Sequence, residues 1–318
     1  MERTRERGGA RRGGVAVLGA GTMGSTMARR LLACGFGVRV WNRGQGPLGV
    51  LAEAGAETSS DPRDAVQGAD VVLTLLPTAD VVSDLMTRGG VLDAMRPGQA
   101  WAQMGTIGVD GTRRLAELVR ATQPGVLFVD APVSGSRAPA QAGQLVVLAS
   151  GPDDAKAIVG PVFDALGRRT LWLGPAGFGS RMKLVLNTWL AFEVEAAAEA
   201  LALARRWEIT DDLLSDATAG SPLVSTYAAS KLEKMIAGDD SPDFSLEMAL
   251  KDLTLVEEAA GLPRAPVAAS IADRWRTLVA RDLGALDVSV AREGLGSSPA
   301  GERVGPARGA PVGESERS

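Results

Sequence analysis

The chain has 318 residues, 45% of them hydrophobic and 23% charged, with 34 basic against 38 acidic side chains and a formal charge of −4. That is apolar content enough for one large domain or two ordinary ones, and the charge balance leaves no footprint for nucleic-acid binding. One Cys, one Tyr and no His occur in the sequence, which excludes an internal disulfide framework, a Ser-His-Asp hydrolase, His-ligated zinc or haem, and a dehydrogenase that uses imidazole as its proton carrier.

Proton transfer near neutral pH then falls to a carboxyl, Cys34, Tyr227 or a lysine with a tuned pKa. Met1 to Gly14 hold five Arg, two Glu and four Gly without apolar periodicity, and residues 297–318 are a Gly/Pro/Ser/Glu/Arg-rich stretch of the same kind. Both read as disordered tails. The first lacks the apolar core of a secretory signal and no apolar run reaches membrane-spanning length, so the expectation is a cytoplasmic protein with no membrane partner.

Residues 15–175 alternate short β-branched runs with helical segments. The runs are Val15 to Leu18, Val38 to Trp41, Val71 to Leu76, Leu127 to Asp130, Leu145 to Leu148 and Thr170 to Leu173. This alternation predicts an α/β domain with a Rossmann-type doubly wound parallel sheet. Residues 176–296 are helical almost throughout and predict an all-α C-terminal domain. Its first helix, Gly179 to Arg206, has no Pro and spans roughly 40 Å.

The first strand runs into Gly19-Ala20-Gly21-Thr22-Met23-Gly24 and then a helix. In a dinucleotide fold the three glycines allow a tight turn, close approach to the pyrophosphate, and close packing of helix on strand. The pattern alone is weak in a chain with 39 Gly, and a structural turn is the bland alternative. After the second strand comes Asn42-Arg43, where NAD-binding proteins usually place an acid on the ribose. An arginine there suits a 2′-phosphate and points to NADP(H) over NAD(H); a solvated loop Arg is the alternative.

Tyr227-Ala-Ala-Ser-Lys231 spells the Tyr-x-x-x-Lys pair of short-chain dehydrogenases, but it lies about 50 residues past the last predicted strand, and a helix-face coincidence is the better reading. Lys231, Lys234, Arg205 and Arg206 read as solvated helix faces. Asp130-Ala-Pro-Val-Ser134-Gly135-Ser136 leaves the carboxyl end of a strand, where ligands sit in open α/β sheets. Its hydroxyls and backbone N–H groups suit a carboxylate, although a turn with Ser capping the next helix would read the same way. Gly179, Lys183 and Asn187 share one face of the long helix at i, i+4 and i+8, in an otherwise apolar stretch. By itself, Lys183 would pass for a surface lysine.

Together these segments, with Lys251-Asp252-Leu253, occur in the order expected of the β-hydroxyacid dehydrogenase family, which the chain resembles from about Val15 to Leu295. That family includes 3-hydroxyisobutyrate dehydrogenase and tartronate semialdehyde reductase. Ser134-Gly-Ser-x-x-Pro-Ala-x-x-Gly-Gln-Leu145 with Met182-Lys-Leu184 looks most like its glyoxylate/succinic semialdehyde reductase branch. The resemblance implies NADPH-dependent reduction of a small aldehyde acid, such as glyoxylate, succinic semialdehyde or methylmalonate semialdehyde, to the hydroxy acid. It makes Lys183 the general acid/base and Asn187 its partner in orienting the substrate. Ser134, Gly135 and Ser136 would hold the substrate carboxylate, and Phe244 and Asp252 match positions that close over it. Gly19 through Gly24, Asn42, Arg43, Leu76, Pro77, Thr106 and Lys251 would hold the cofactor. Relatives are commonly homodimers or homotetramers. Two departures stand out: Gly105-Thr106 replaces the usual Ser-Thr, and Thr188 the usual second Asn. Imine reductases and non-catalytic NADPH-binding modules share the architecture but lack the lysine, and 6-phosphogluconate dehydrogenases carry a His where this chain has Leu186.

Overall fold

The computed structural model describes residues 12–259 and 265–295. Runs without a polar face become strands covered on both sides: β4 (Val71–Thr74) and β5 (Ala100–Gln103) are buried at every position. They join β1 (Arg12–Leu18), β2 (Phe36–Trp41), β3 (Glu57–Ser59) and β6 (Leu127–Asp130) in an all-parallel sheet of order β3-β2-β1-β4-β5-β6. The order reverses between β1 and β4, which opens a crevice at the carboxyl ends of the strands. One face packs under Met27, Leu31, Phe163 and Leu166, the other under Val82, Met86, Leu115 and Val119.

Three expectations are corrected here. Arg12 to Gly14 belong to β1 rather than to a tail, because Gly14 pairs with Gly37 and its N–H donates to Asp70 Oδ2 at 3.0 Å. Residues 1–11 and 296–318 lie outside the described residues. The runs at Leu145 and Thr170 do not extend the main sheet. They form a second sheet of β7 (Val133–Ser134), β8 (Leu145–Ala149) and β9 (Gly167–Trp172). Its first pair is antiparallel because the chain turns back at Gly135, whose φ of +124° suits glycine alone. The third correction concerns Lys231, which is only 2% exposed and ion-paired with both carboxylate oxygens of Asp287 at 2.9 and 3.0 Å. That partner arrives 56 residues later, so helix periodicity could not announce it.

The long helix runs Phe178–Arg206, 29 residues, with Gly179, Ser180 and Asn187 buried near its start. Helices Thr226–Ala237, Leu246–Glu258 and Pro266–Leu278 pack along it over a core of Val194, Leu201, Leu246, Leu253 and Trp275. Glu195, buried at mid-helix, accepts from Arg274 at 2.9 Å and from the Trp275 indole. Among the described residues no helix is long and apolar enough to cross a membrane, and no cluster of metal-ligating side chains occurs.

Candidate active site

The glycine-rich turn is built by contact. A Cβ on Gly24 would stand 1.9 Å from the Gly19 carbonyl, so only glycine lets helix Thr22–Ala33 start so close to β1. A Cβ on Gly21 would meet nothing, so the turn is open above it, and the helix begins there with no side-chain cap on its first N–H groups. Open space over uncapped amides fits a dinucleotide pyrophosphate. Thr22 is exposed and Met23 half-buried at this turn. Asn42 scaffolds the turn: its Oδ1 accepts from Ala20 N–H at 2.9 Å, and its Nδ2 donates to the Gly44 carbonyl at 2.8 Å. Arg43 beside it is exposed and forms no ion pair among the described residues. These are the groups that the resemblance assigns to NAD(P).

Leu76-Pro77 and Thr106 leave the ends of β4 and β5. A buried network holds these turns: Thr74 Oγ1 bonds Gln103 Oε1 at 2.5 Å, and Gln103 Nε2 donates to the Gly105 carbonyl at 2.9 Å. A Cβ on Gly105 would lie 2.6 Å from the Leu76 carbonyl. The Gly105 departure therefore lets the two cofactor-side turns approach each other. From the helical domain, Lys251 Nζ donates to the Thr106 carbonyl at 2.5 Å. A cleft of about 560 Å³ opens here between the domains, lined by Pro77, Thr106, Ile107, Leu250, Lys251 and Leu255.

Lys251 also stands 2.7 Å from Asp252 Oδ1, angled as an ion pair rather than a hydrogen bond. The other oxygen of Asp252, itself 3% exposed, accepts from the Asn187 amide. Lys183, one helical turn before Asn187, is half-buried and makes no hydrogen bond among the described residues. Burial pushes its pKa below the usual lysine range; the Asp252 carboxylate opposes this and the Lys251 ammonium adds to it. Ser134 and Ser136 are half-buried, and neither hydroxyl has a protein partner among the described residues. Ser136 precedes helix Arg137–Ala142 without capping it. The turn-and-cap alternative thus loses its hydrogen bond, and the loop keeps two free hydroxyls.

The resemblance implied that Asp252 closes over the substrate; in the fold its carboxylate accepts from the Asn187 amide and pairs with Lys251. Phe244 packs against the helical core, with its N–H on Asp287 at 3.3 Å. Tyr227 has the Lys231 ammonium 5.6 Å from its ring, but its buried hydroxyl has no partner among the described residues, and burial raises its pKa, with Asp287, Glu193 and Asp243 adding to it. It is unsuited to donate a proton. What the sequence reading missed is Ser180 and the use of Asp130: this acid, 0% exposed at the end of a buried strand, must find donors.

Residues 14–174 match the family model described as the NAD binding domain of 6-phosphogluconate dehydrogenase, and residues 177–293 match the NAD-binding domain of NADP-dependent 3-hydroxyisobutyrate dehydrogenase. The chain is 32% identical over 288 residues to glyoxylate/succinic semialdehyde reductase 1 of Arabidopsis thaliana, covering 88% of this chain and 98% of the relative. The chain belongs to the β-hydroxyacid dehydrogenase family. NAD-dependent L-serine dehydrogenase of Pseudomonas aeruginosa is 31% identical, over 88% of this chain and 96% of that one. Among solved structures, 3-hydroxyisobutyrate dehydrogenase of Mycobacterium tuberculosis with L-serine superposes with a TM-score of 0.79 at 30% identity, covering 88% of this chain and 98% of that one. As a β-hydroxyacid dehydrogenase, this protein is an NAD(P)-dependent oxidoreductase of the alcohol–carbonyl type.

Proposed function

We propose that the protein reduces a short aldehyde acid to its hydroxy acid with NADPH, and that Lys183 moves the proton. The observation that carries this reading is the proximity of a half-buried lysine of lowered pKa to Asp252, which anchors the Asn187 amide, and to Lys251, which reaches the Thr106 turn. The nicotinamide, when bound, supplies the hydride. Ser134 and Ser136 offer free hydroxyls to the substrate carboxylate and restrict substrates to acids. Asn187 orients the reacting oxygen, its own direction fixed by Asp252. Lys183 stabilises charge developing on that oxygen and gives up a proton to it; in the reverse direction, neutral Lys183 takes the hydroxyl proton. Arg43, exposed after β2 and without an ion pair among the described residues, supports NADPH over NADH.

The reading includes a homodimer or homotetramer. Phe178, Met182, Val185, Trp189 and Phe192 are all exposed on the long helix at alternating spacings of four and three, a seam suited to a second copy. The test is NADPH oxidation with glyoxylate, succinic semialdehyde, methylmalonate semialdehyde and tartronate semialdehyde, with a cyclic imine as contrast. Turnover of an aldehyde acid supports the reading. Turnover of the imine alone overturns it, and NADPH binding without any turnover makes the protein a binding module.

A further inference from the structure

Among the buried carboxylates that the proposed mechanism does not use, Asp130 lies nearest in the chain to the Ser134–Ser136 loop. Asp130 ends β6, four residues before Ser134, and is 0% exposed. Its Oδ2 accepts from the Gly177 N–H at 3.1 Å, the Ser180 N–H at 2.8 Å and the Ser150 hydroxyl at 3.0 Å. Its Oδ1 accepts from the Ser180 hydroxyl at 2.7 Å. Ser150 Oγ in turn accepts from the Gly179 N–H at 2.9 Å.

The N–H groups involved belong to the start of the long helix, whose N-cap Gly177 has no side chain and whose first turn has no acid. Helices normally satisfy these donors from the cap residue itself. Here the acceptor comes from the other domain, 47 to 50 residues earlier. A negative charge also suits the positive end of the helix. The approach is close: a Cβ on Gly179 would lie 2.2 Å from the Leu148 carbonyl and 2.9 Å from the Asp130 carbonyl.

Ser180 precedes Lys183 by three residues and Asn187 by seven, so all three occupy one face. The strand that ends at Asp130 continues into the Ser134–Ser136 loop. A local cap would satisfy the same amides without tying that face to that loop. We infer that Asp130 is a positioning residue: by capping the long helix from the sheet domain, it fixes the rotation and height of Lys183 and Asn187 relative to the Ser134–Ser136 anion loop. This rests on the reaction proposed above. A turn of helix advances about 1.5 Å and 100° per residue, and misplacement of about 1 Å can cost about 10²-fold in rate. Burial outweighs the Ser180, Ser150 and Gly177 donors and leaves the Asp130 carboxyl above its usual range.

Two variants test it, Asp130→Asn and Ser180→Ala, each read in two ways. The first is kcat and KM for the preferred aldehyde acid beside the Kd for NADPH. The second needs no substrate: the rate at which an amine reagent labels Lys183 across pH, followed by mass spectrometry, gives that lysine's pKa directly. Asp130→Asn is expected to lower kcat about 10²-fold with the NADPH Kd within about threefold, and to move the Lys183 pKa up toward ordinary lysine as water reaches it. Ser180→Ala should do the same to a smaller degree, and the double variant should be no worse than Asp130→Asn alone. A Lys183 pKa that stays fixed, or falls as simple loss of a negative charge would make it, overturns the inference. If Asp130→Asn does not fold, Ser180→Ala decides by the same criteria. A wild-type protein that reduces no aldehyde acid defeats the proposed reaction, while the labelling experiment still reads Asp130.

Discussion

Lys183 has no hydrogen-bonding partner of its own among the described residues, so its chemistry is set by burial and by two neighbours of opposite charge. Lys183→Ala should lower kcat by about 10²–10⁴-fold while leaving NADPH affinity nearly intact, measured by steady-state kinetics and fluorescence titration. In its proposed role, the protonation state of Lys183 fixes the sign of the pH dependence and its lowered pKa the range. Oxidation of the hydroxy acid needs the neutral amine and should rise with pH; reduction needs the ammonium and should fall over the same range. Both limbs should sit below the ordinary lysine value of about 10.4. With the preference for NADPH that we propose, Arg43→Ala should cut selectivity over NADH about tenfold or more, the effect expected from losing a charge-assisted contact to a 2′-phosphate. Unchanged selectivity would mean that the phosphate is read elsewhere.

At the scale of elements, buried charges hold the helical domain. Lys231 on helix Thr226–Ala237 and Asp287, which itself accepts from the N–H groups of Asp243, Phe244 and Ser289, tie three segments together. Lys231→Ala should cost about 3–5 kcal/mol in urea unfolding because it leaves a buried carboxylate unpaired. Burial pushes Asp287 up, but Lys231 and the backbone donors outweigh it and leave its pKa lowered. A lowered folded pKa contributes stability that is present above the unfolded value of about 3.9 and is lost as pH falls through the folded one. Acid unfolding of the Lys231→Ala variant should therefore begin at higher pH than in the wild type. The elements themselves were unevenly legible. Val15 to Leu18 and Val71 to Thr74 announce buried strands through β-branched runs, whereas Glu57–Ser59 is a polar edge strand and Ala100–Gln103 lacks such residues. Neither carries a signal until the sheet is assembled. Lys231 misled for the same reason: a lysine on a helix reads as solvated until its distant partner is known.

For the whole molecule, the order of the motifs in the sequence sufficed to identify the fold, and local spacing placed Lys183 and Asn187 on one helix face. What spacing could not supply was the connection between halves. Lys251 reaches 145 residues back to the Thr106 carbonyl of the sheet domain, and within the helical half Asn187 meets its acceptor Asp252 only 65 residues later. Lys251→Met should raise the KM for NADPH about tenfold and lower kcat less, because it cuts the ammonium bridge from the helical domain to the β5 turn while leaving Lys183 in place. A drop confined to kcat would show that Lys251 acts on the proton carrier and leaves cofactor affinity alone.

The long helix that starts against Asp130 and Ser150 also sets where the protein can be cut and recombined. The visible seam near Gly174 invites chimeras that join this sheet domain to the helical half of a relative. Such a graft keeps its geometry only if the donor helix presents a hydroxyl at the position of Ser180 and a glycine at that of Gly179 to the recipient's strand end. The heritable module is therefore the helical half together with the ends of β6 and β8, a boundary that passes through the sheets rather than between domains.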